Sequence, residues 1–390
     1  MSKLDIRFFN TSNFPQPLLD YVLLSLNEQD LKARAYISHY KYRTSIKGDD
    51  RIVFFEKAGL TKLSSSAKRL NQILYMMAAS AKILFSPAKL HVLVTQPPLY
   101  VIISAWLCRL RGVPYIVHVM DHYPGLVGAL GYLDMDGWLY EFLDKRMDRA
   151  LQKADKVIHL GACMKAMLVD KGVPADRLHK VINVPTVKQE LAEIDFLKSR
   201  GLDEKFTIIY AGNMGIAHEF DTLLDTARQL ASTHSDIHFI LLGKGHRRGE
   251  VEAFLEEHQP TNVTPLFGFL EQDDFTAVMQ QTDLHVITLR DSFNGLLMPS
   301  KLYSTLALGQ PVLFEGPAGC EIAAVIRAHD VGVHVPHGDG VGMREAILAL
   351  YGDRERLAAL GDNARQYFDE ECQESTVVEG YVTFLKRQLS

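Results

Sequence analysis

The sequence predicts an α/β protein made of two domains, each a parallel β-sheet covered by helices. Three observations lead to this fold class. The chain has 390 residues, which is long for one core and natural for two domains. From Phe206 onward, short apolar runs alternate with stretches of helical periodicity. The first half shows the same alternation with weaker signals, and repeated βα units give parallel sheets with helices on both faces.

The second half contains the clearer elements. A turn or a helix separates each pair of its predicted strands, which cover residues 206–211, 237–242, 263–267, 284–289, 311–314 and 332–335. In the first half, strands are predicted at residues 4–9, 52–55, 91–95, 115–120 and 156–160, and helices at 17–29, 67–85, 99–111 and 136–153. We therefore predict an N-terminal domain over residues 1–186, a polar linker over 187–205, a second domain over 206–372 and a final helix over 373–390.

Composition and cysteine placement favour a protein of the cytoplasm. Hydrophobic residues make up 47% of the chain and charged residues 23%, as in ordinary globular proteins. The first residues lack the basic start, apolar run and cleavage site of a secretion signal, so we expect no secretion. The four cysteines are far apart and form no CxxC pair, which argues against a zinc site or a disulfide framework.

Charge is distributed unevenly along the chain. Residues 31–90 contain 12 Lys and Arg against three acids, whereas the whole chain has a net charge of −5. A basic stretch on an acidic protein indicates an anionic partner on that side. One interpretation is an ordinary solvated surface, and the other is peripheral contact with anionic lipid at the inner face of the cell membrane. Nucleic acid is not expected, because the chain lacks a basic and aromatic platform for single strands.

Three strand-to-helix turns in the second domain have the composition of an anion-binding site. The first, residues 212–215, contains two glycines and is followed by His218 at a helix start. The second, residues 243–248, is a glycine loop with three cations and a histidine. In the third, residues 298–301, Lys301 lies in the first turn of a helix, where a cation opposes the helix dipole. Ligands of parallel sheets bind at the carboxyl ends of the strands, so the three turns together predict an anionic ligand.

Two other kinds of site are disfavoured by spacing. After Gly243 and Gly245, the third glycine of a dinucleotide fingerprint is replaced by Arg248, so a dehydrogenase is not predicted. Asp134 and Asp136 have the spacing of a metal-binding carboxylate pair. They lie at a predicted helix start, however, where capping is the commoner role of Asp. We expect neither a metal nor another cofactor.

The second half resembles the donor domain of family 4 glycosyltransferases with the GT-B fold. The resemblance lies in the runs YAGNMGIAHEFDTLLDTA, FILLGKGHRRGEVEAF and MPSKLYSTLALGQPVLFEGPAGCEIAAVIRAHDVGVHVPHGD. The runs VTQPPLY, GVPYIVHVMDHYP and LGACMKAMLVDKGVPADRLHKVINVP are similar as well. The closest likeness is to bacterial members that build capsule, O-antigen and exopolysaccharide units, often from UDP-N-acetylhexosamines. The resemblance implies two Rossmann-like domains with a cleft between them, and a final helix that crosses back to the N-terminal domain.

The resemblance also implies roles for individual residues. Arg247 and Lys301 would bind the donor phosphates, with Arg248 as the alternative to Arg247. Asp121 and His122 would lie on the acceptor side as the other catalytic candidates. The acceptor-binding candidate is Gln96, and the remaining donor-binding candidates are Asn213, Gly215, His218, Gly243, Gly245, Phe269, Leu270, Asn294, Gly295, Leu296, Ser300, Ser304 and Glu321.

Several of these positions depart from the family pattern. Many members carry two glutamates separated by seven residues, the first on the sugar and the second on the ribose. Leu296 and Ser304 occupy these positions here, and Asn294 is the nearest polar substitute for the first. Met120 replaces a histidine on the acceptor side, and His218 replaces a common lysine or arginine.

The implied function is transfer of a sugar, with an N-acetylated hexosamine favoured, from a nucleotide diphosphate in which UDP is favoured. The acceptor would be a glycan or a lipid-linked glycan of bacterial surface polysaccharide, and anomeric configuration would be retained. Arg247 and Lys301 would hold the departing diphosphate in place of a metal. The alternatives are a nucleotide-sugar 2-epimerase, which needs no acceptor, and a non-catalytic subunit that binds nucleotide-sugars.

Overall fold

The computed structural model describes residues 4–10, 17–37, 52–54, 65–184, 194–268 and 270–389. The chain divides into two compact units. The first contains Met1–Val184, Gly295–Met298 and Glu374–Ser390, and the second contains Pro185–Asn294 and Pro299–Gln373.

The first unit is built on seven parallel strands, β1 (Leu4–Asn10), β2 (Ala33–Ile37), β3 (Ile52–Phe54), β4 (Ala88–Val94), β5 (Tyr115–His118), β6 (Lys156–His159) and β7 (Leu178–Lys180). Their order across the sheet is β3-β2-β1-β4-β5-β6-β7. In the middle of the sheet, Phe8 lies opposite Ala35 on one side and Val92 on the other. All three are fully buried, because parallel strands at the centre of such a sheet are covered on both faces.

Six helices follow the strands of this unit: α1 (Pro17–Glu28), α2 (Ser65–Phe85), α3 (Tyr100–Arg111), α4 (Gly125–Ala129), α5 (Trp138–Gln152) and α6 (Ala162–Asp170). Helix α2 shows how they pack. Tyr75, Ala79 and Ile83 recur every four residues and are buried, and the Tyr75 hydroxyl donates to the carbonyl of Tyr36 at 2.7 Å. Within the described residues, every helix is too short or too polar to cross a lipid bilayer.

The second unit is built on six parallel strands, β8 (Phe206–Asn213), β9 (Ile237–Lys244), β10 (Val263–Phe267), β11 (Leu284–Thr288), β12 (Val312–Glu315) and β13 (Gly332–Val335). Their order is β10-β9-β8-β11-β12-β13. Its helices are α7 (Asp221–Ala231), α8 (Arg248–His258), α9 (Gln272–Gln281), α10 (Lys301–Ala307), α11 (Glu321–His329), α12 (Gly340–Gly352) and α13 (Arg354–Tyr367). Successive residues of β8 enter different cores, since Ile208 and Tyr210 pack in one cluster and Ile209 in another.

The last helix, α14 (Glu374–Arg387), belongs to the first unit. It packs on α1, and its Tyr381 hydroxyl lies 3.1 Å from Nδ1 of His118 in β5. Phe384 stacks on His179 of β7 with ring centroids 3.9 Å apart. The final helix of the chain therefore completes the core of the first unit.

The predicted linker, residues 187–205, needs correction at its C-terminal end. Residues 185–193 lie outside the described residues, but Phe196, Leu197 and Leu202 are buried in one cluster with Ile209 of β8. A 3-10 helix, Lys198–Arg200, lies between these side chains. Although the predicted linker is mostly polar, three of its apolar residues belong to the core of the second unit.

Candidate active site

Loops after β8, β9 and β11 meet at the carboxyl edge of the second sheet. The amide of Met214 donates to the carbonyl of Lys244 at 2.8 Å, and the amide of Arg290 donates to the carbonyl of Ala217 at 2.9 Å. Strands β8 and β11 are neighbours although two strands separate them in the chain, so the winding of the sheet reverses here. Ligands of such sheets bind at this reversal.

Lys301, the first residue of α10, places its Nζ at this edge, 3.6 Å from the ring centroid of Tyr210 in β8. The side chain as a whole is half-buried, but Nζ is buried and has no hydrogen-bond partner in the described parts of the chain. The lysine crosses Gly212, where an added β-carbon would lie 2.7 Å from Lys301 Cε. Gly212 has a φ of 129°, which also favours glycine. Glycine at 212 thus makes room for the lysine.

Burial lowers the pKa of Lys301 well below its ordinary range. The ammonium has lost most of its hydration, and the face of the Tyr210 ring replaces only part of it. An anion beside Nζ would favour the charged form and raise the pKa of the lysine again. Lys301 therefore has the properties of an anion-binding residue.

Glu219 is the centre of a group of polar side chains that the sequence did not predict. It is 7% exposed. Its Oε1 accepts from Arg247 Nη1 at 3.0 Å and from two backbone amides at the start of α7. Its Oε2 accepts from Arg290 Nε at 2.9 Å and lies 3.4 Å from His337 Nε2. We call Glu219, Arg247, Arg290 and His337 the glutamate cluster.

The glutamate cluster keeps Glu219 ionised. Burial raises the pKa of this carboxyl, but the amides of Phe220 and Asp221 and the guanidinium of Arg247 outweigh it and hold the pKa at about 2. Arg290 follows β11 and His337 follows β13, far from Glu219 in sequence. Only the fold brings them together, so no local pattern could have revealed the cluster.

Arg247 does not fit its predicted role as a phosphate ligand. It is 4% exposed, and its Nη1 donates to the carbonyl of His218 at 2.7 Å as well as to Glu219. Its Nε donates to Glu250 of α8 at 2.7 Å, and its Nη2 lies 2.6 Å from the same carboxylate. Burial lowers the pKa of Arg247, and the Glu250 and Glu219 carboxylates raise it above its ordinary value. The prediction is corrected because two carboxylates already neutralise this cation, which ties the loop after β8 to α8.

Arg248, the predicted alternative, is more accessible. Its side chain is 44% exposed, and its Nη2 lies 2.6 Å from Glu252 one helical turn further along α8. Its guanidinium carbon lies 4.8 Å from the ring centroid of Phe267 in β10. It therefore remains a candidate for donor contact at the edge of this loop.

His218, another predicted donor-binding residue, is 9% exposed. Its Nδ1 lies 2.7 Å from the carbonyl of Thr288, so Nδ1 carries the proton and donates. Burial, together with the charges of Lys301 and Arg247, lowers the pKa of His218 to about 3. The ring is neutral at physiological pH, and its Nε2 is an acceptor. An anion beside the ring would favour the protonated form, as it would for Lys301, so donation from Nε2 of His218 stays a prediction.

The glycines of the second turn serve the packing of two loops. A β-carbon on Gly243 would lie 1.9 Å from the carbonyl oxygen of Gly212, and one on Gly245 would lie 2.4 Å from that of Met214. Both glycines have large positive φ angles, 147° and 156°. Both glycines are therefore needed for the close contact of two backbone segments, and their donor contact stays a prediction.

The other predicted donor residues of the second unit lie around the same edge with different exposure. Asn213, Asn294 and Ser300 are exposed, Gly215 and Ser304 are half-buried, and Glu321 at the start of α11 is 3% exposed. Phe269 lies outside the described residues. Leu270 is half-buried and packs against the core cluster that contains Phe196, and its donor contact stays a prediction.

In the first unit, Asp121 follows β5 and contacts Gln96, which follows β4. Burial raises the pKa of Asp121, and its hydrogen bonds to Gln96 and Tyr123 act in the opposite direction. The hydroxyl of Thr95 accepts from the Asp121 amide at 3.4 Å. The structure thus brings together two of the residues predicted on the acceptor side.

His122 is 1% exposed, and neither of its ring nitrogens has a hydrogen-bond partner within the described ranges. Burial lowers its pKa to about 4, so the ring is neutral. Its amide donates to the carbonyl of Leu296 at 2.7 Å. The predicted donor loop is therefore divided, because Asn294 belongs to the second unit while Gly295 and Leu296 belong to the first.

His122 also has acidic neighbours. Ligand atoms of His122, Asp144 and Asp148 lie within 4.8 Å of one another, the only such group found in the described residues. Nζ of Lys171 lies 2.8 Å from the Asp144 carboxylate and 3.1 Å from that of Asp148. One ammonium therefore pairs with both carboxylates. Asp134 and Asp136 form a turn before α5, with the Asp136 amide donating to Asp134 Oδ1 at 3.1 Å.

Comparison with known families assigns both halves of the chain. Residues 205–353 match the family described as glycosyl transferases group 1, and residues 55–183 match the glycosyl transferase 4-like domain. The chain belongs to the family 4-like glycosyltransferases. The predicted family is confirmed. The group 1 match of this glycosyltransferase falls on the unit that contains Lys301 and the glutamate cluster.

Curated relatives of this glycosyltransferase include two bacterial proteins. It is 23% identical over 303 residues to the probable glycosyltransferase WbjE of Pseudomonas aeruginosa, covering 76% of this chain and 74% of the relative. It is 22% identical over 290 residues to WcaI of Escherichia coli, described as a putative colanic acid biosynthesis glycosyl transferase, covering 72% and 69%.

Solved structures show the fold. Anabaena HepE in complex with UDP superimposes with a TM-score of 0.71 at 13% identity, covering 98% of this chain and all of that one. WaaG, a glycosyltransferase involved in lipopolysaccharide biosynthesis, gives a TM-score of 0.68 at 15% identity, covering 97% and 99%. The glycosyltransferase therefore has the predicted α/β GT-B fold.

Proposed function

We propose that this glycosyltransferase transfers an N-acetylated hexosamine from a UDP donor to a glycan or lipid-linked acceptor of bacterial surface polysaccharide, with retention of configuration. The observation that carries the proposal is the buried Nζ of Lys301, which lacks a hydrogen-bond partner among the described residues at the edge where parallel sheets bind ligands. A diphosphate oxygen beside Nζ would give the ammonium its missing partner.

The proposed chemistry places Lys301 on the leaving group. The bond between the anomeric carbon and the diphosphate oxygen breaks, the acceptor oxygen bonds to that carbon, and the acceptor proton passes to the departing phosphate. Negative charge on the diphosphate grows as the bond breaks, so an ammonium held nearby stabilises the transition state more than the ground state. Since Lys301 supplies this charge, we propose that transfer needs no metal.

Known proteins support the choice of substrate class. The HepE structures were determined with UDP and with UDP-glucose, which favours UDP as the donor nucleotide. WcaI and WaaG are named for colanic acid and lipopolysaccharide synthesis, which favours a bacterial surface glycan as the product. The hexosamine rests on the family resemblance of the runs around Asn213 and Lys301. On the acceptor side, we propose that Asp121, His122 and Gln96 contact the incoming hydroxyl.

A thermal-shift screen against UDP-, GDP-, dTDP- and ADP-sugars tests the donor. We expect UDP-N-acetylhexosamines to give the largest shift, and a larger shift with another nucleotide would overturn the UDP assignment. NMR of the product anomer formed with a lipid-linked acceptor tests retention, and unchanged transfer in EDTA is expected. NMR of the donor alone distinguishes the alternatives, because a 2-epimer formed without acceptor would establish an epimerase in place of a transferase.

A further inference from the structure

The exposed apolar surface of the described residues is concentrated on three helices of the first unit. Of fifteen large apolar side chains that are exposed, ten lie on α2, α3 and α5. They are Leu70, Ile73, Met77 and Phe85 of α2, Ile103, Trp106 and Leu110 of α3, and Trp138, Leu139 and Phe142 of α5. The surface of a soluble protein rarely exposes so many large apolar side chains on neighbouring helices, and such patches mark interaction sites.

Two grooves that share Ile103 connect the three helices. A groove of about 420 Å³ runs between α2 and α3, lined by Ile73, Met77, Phe85 and Ile103 among others. A second groove of about 730 Å³ runs between α3 and α5, and Ile103 lines it as well. We call the exposed surface of α2, α3 and α5 the apolar–basic face.

Three arginines line the second groove beside Trp106: Arg109 of α3, and Arg146 and Arg149 of α5. None of the three has a carboxylate partner within the described residues. The acids of α5 pair with lysines, Glu141 with Lys145 and both Asp144 and Asp148 with Lys171. The sequences of α2 and α3 contain no acid at all. Within the described ranges, the three arginines therefore lie beside apolar side chains and have no carboxylate paired with them.

We propose that the apolar–basic face docks on a bilayer that contains anionic phospholipid. The apolar side chains would enter the headgroup boundary, and Arg109, Arg146 and Arg149 would lie against lipid phosphates, as on interfacial amphipathic helices. A second copy of the chain fits less well. A two-fold contact through this face would place the same arginines of both copies in one interface, where like charges repel.

This surface revises the membrane contact predicted for residues 31–90. Only α2 falls within that stretch, and residues 38–51 and 55–64 lie outside the described residues. The three arginines and both exposed tryptophans come from α3 and α5. The charge count over residues 31–90 included only α2 of this face, since a count along the sequence cannot show which helices lie side by side.

The full-length protein can be tested by co-sedimentation with vesicles of phosphatidylcholine, with or without phosphatidylglycerol. These vesicles contain no glycan acceptor, so binding reports the phospholipid alone. We expect binding only when phosphatidylglycerol is present, and weaker binding at high salt. The chain has two tryptophans, Trp106 and Trp138, 60% and 78% exposed, and both lie on this face. Their fluorescence should therefore shift to the blue on binding.

The triple variant Arg109→Gln, Arg146→Gln, Arg149→Gln should bind about a hundredfold more weakly, as expected for three basic residues at an anionic surface. The control variant Arg228→Gln, Arg354→Gln, Arg356→Gln removes the same charge from the second unit and should bind as the wild type does. Equal binding of the two variants would overturn the proposal, and so would a stable dimer that binds no vesicles. The thermal shift with UDP should be unchanged in the triple variant, so the membrane surface and the proposed transferase are tested separately.

Discussion

Nζ of Lys301 lies 3.6 Å from the ring centroid of Tyr210, and its side chain passes over Gly212 to reach that position. The lysine is thus held by a ring face and by the shape of a glycine turn, with no carboxylate beside it in the described part of the chain. Burial without a partner costs stability, and this cost falls at the edge where a ligand would bind.

Replacement of this lysine should separate activity from stability. Lys301→Met keeps the length of the side chain and removes the buried amine, so we expect the unfolding temperature to stay equal or to rise. Turnover with the preferred donor should fall by about a hundredfold or more, because one stabilising contact to the leaving group contributes about 2–4 kcal/mol. Lys198→Met, an exposed lysine of the same unit, is the control for both measurements and should change neither.

Arg247 and Arg248 are adjacent arginines with opposite surroundings. Arg247→Met leaves Glu219 and Glu250 without their buried partner, and we expect the free energy of unfolding to fall by about 3–5 kcal/mol. Arg248→Met breaks an exposed pair with Glu252 and should cost under about 1 kcal/mol. Urea denaturation of the two variants measures the difference. Similar losses in both would contradict the structural role assigned to Arg247.

The loss of folding stability at acid pH should depend on Glu219. Its pKa falls from an ordinary 4.5 to about 2 on folding. The folded state therefore binds fewer protons than the unfolded state between these values. The stabilisation, about 3 kcal/mol, is present above pH 4.5 and is lost as the pH falls toward 2. Glu219→Gln should lower stability at neutral pH and flatten the decrease between pH 4.5 and 2. A wild-type slope in this variant would show that other carboxyls cause the acid transition.

Two glycines near α8 should respond to alanine in opposite directions. At Gly245, with a φ of 156°, the new methyl would lie 2.4 Å from the Met214 carbonyl, so we expect a loss of about 1–3 kcal/mol. Gly249 is the second residue of α8 and has no atom within 4 Å of an added β-carbon. There, alanine should add about 0.5–1 kcal/mol by its higher helix propensity. Thermal unfolding of the two variants compares them directly.

The strands of the second unit could be predicted closely, because each is a short apolar run and most are followed by a stretch with helical periodicity. Predicted residues 263–267 and 332–335 coincide with β10 and β13. In the first half, β2 and β7 were missed. Charged residues interrupt the alternation in β2, where Arg34 lies between buried alanines, and β7 has only three residues. Helix α13 was also missed, since it is polar on most of its surface.

The site was predicted less completely than the fold. The sequence indicated the sheet edge at which Lys301 lies, because a lysine in the first turn of a helix is locally unfavourable. It could not show that Arg247 is neutralised, because Glu219 lies 28 positions away and pairs with it only through the fold. For the same reason, the sequence analysis grouped Leu296 with Asn294. Leu296 belongs to the first unit together with His122, whose amide donates to the Leu296 carbonyl.

The packing of helix α14 has a consequence for folding during synthesis of the chain. Tyr381 and Phe384 pack on β5 and β7 of the first unit, yet the entire second unit is translated before them. At about 5–20 residues per second, the first sheet must wait on the order of ten seconds or more for its last helix. During that interval the ribosome-bound chain exposes the surface that α14 later covers. A chaperone would therefore find its binding site on the half of the protein that was made first.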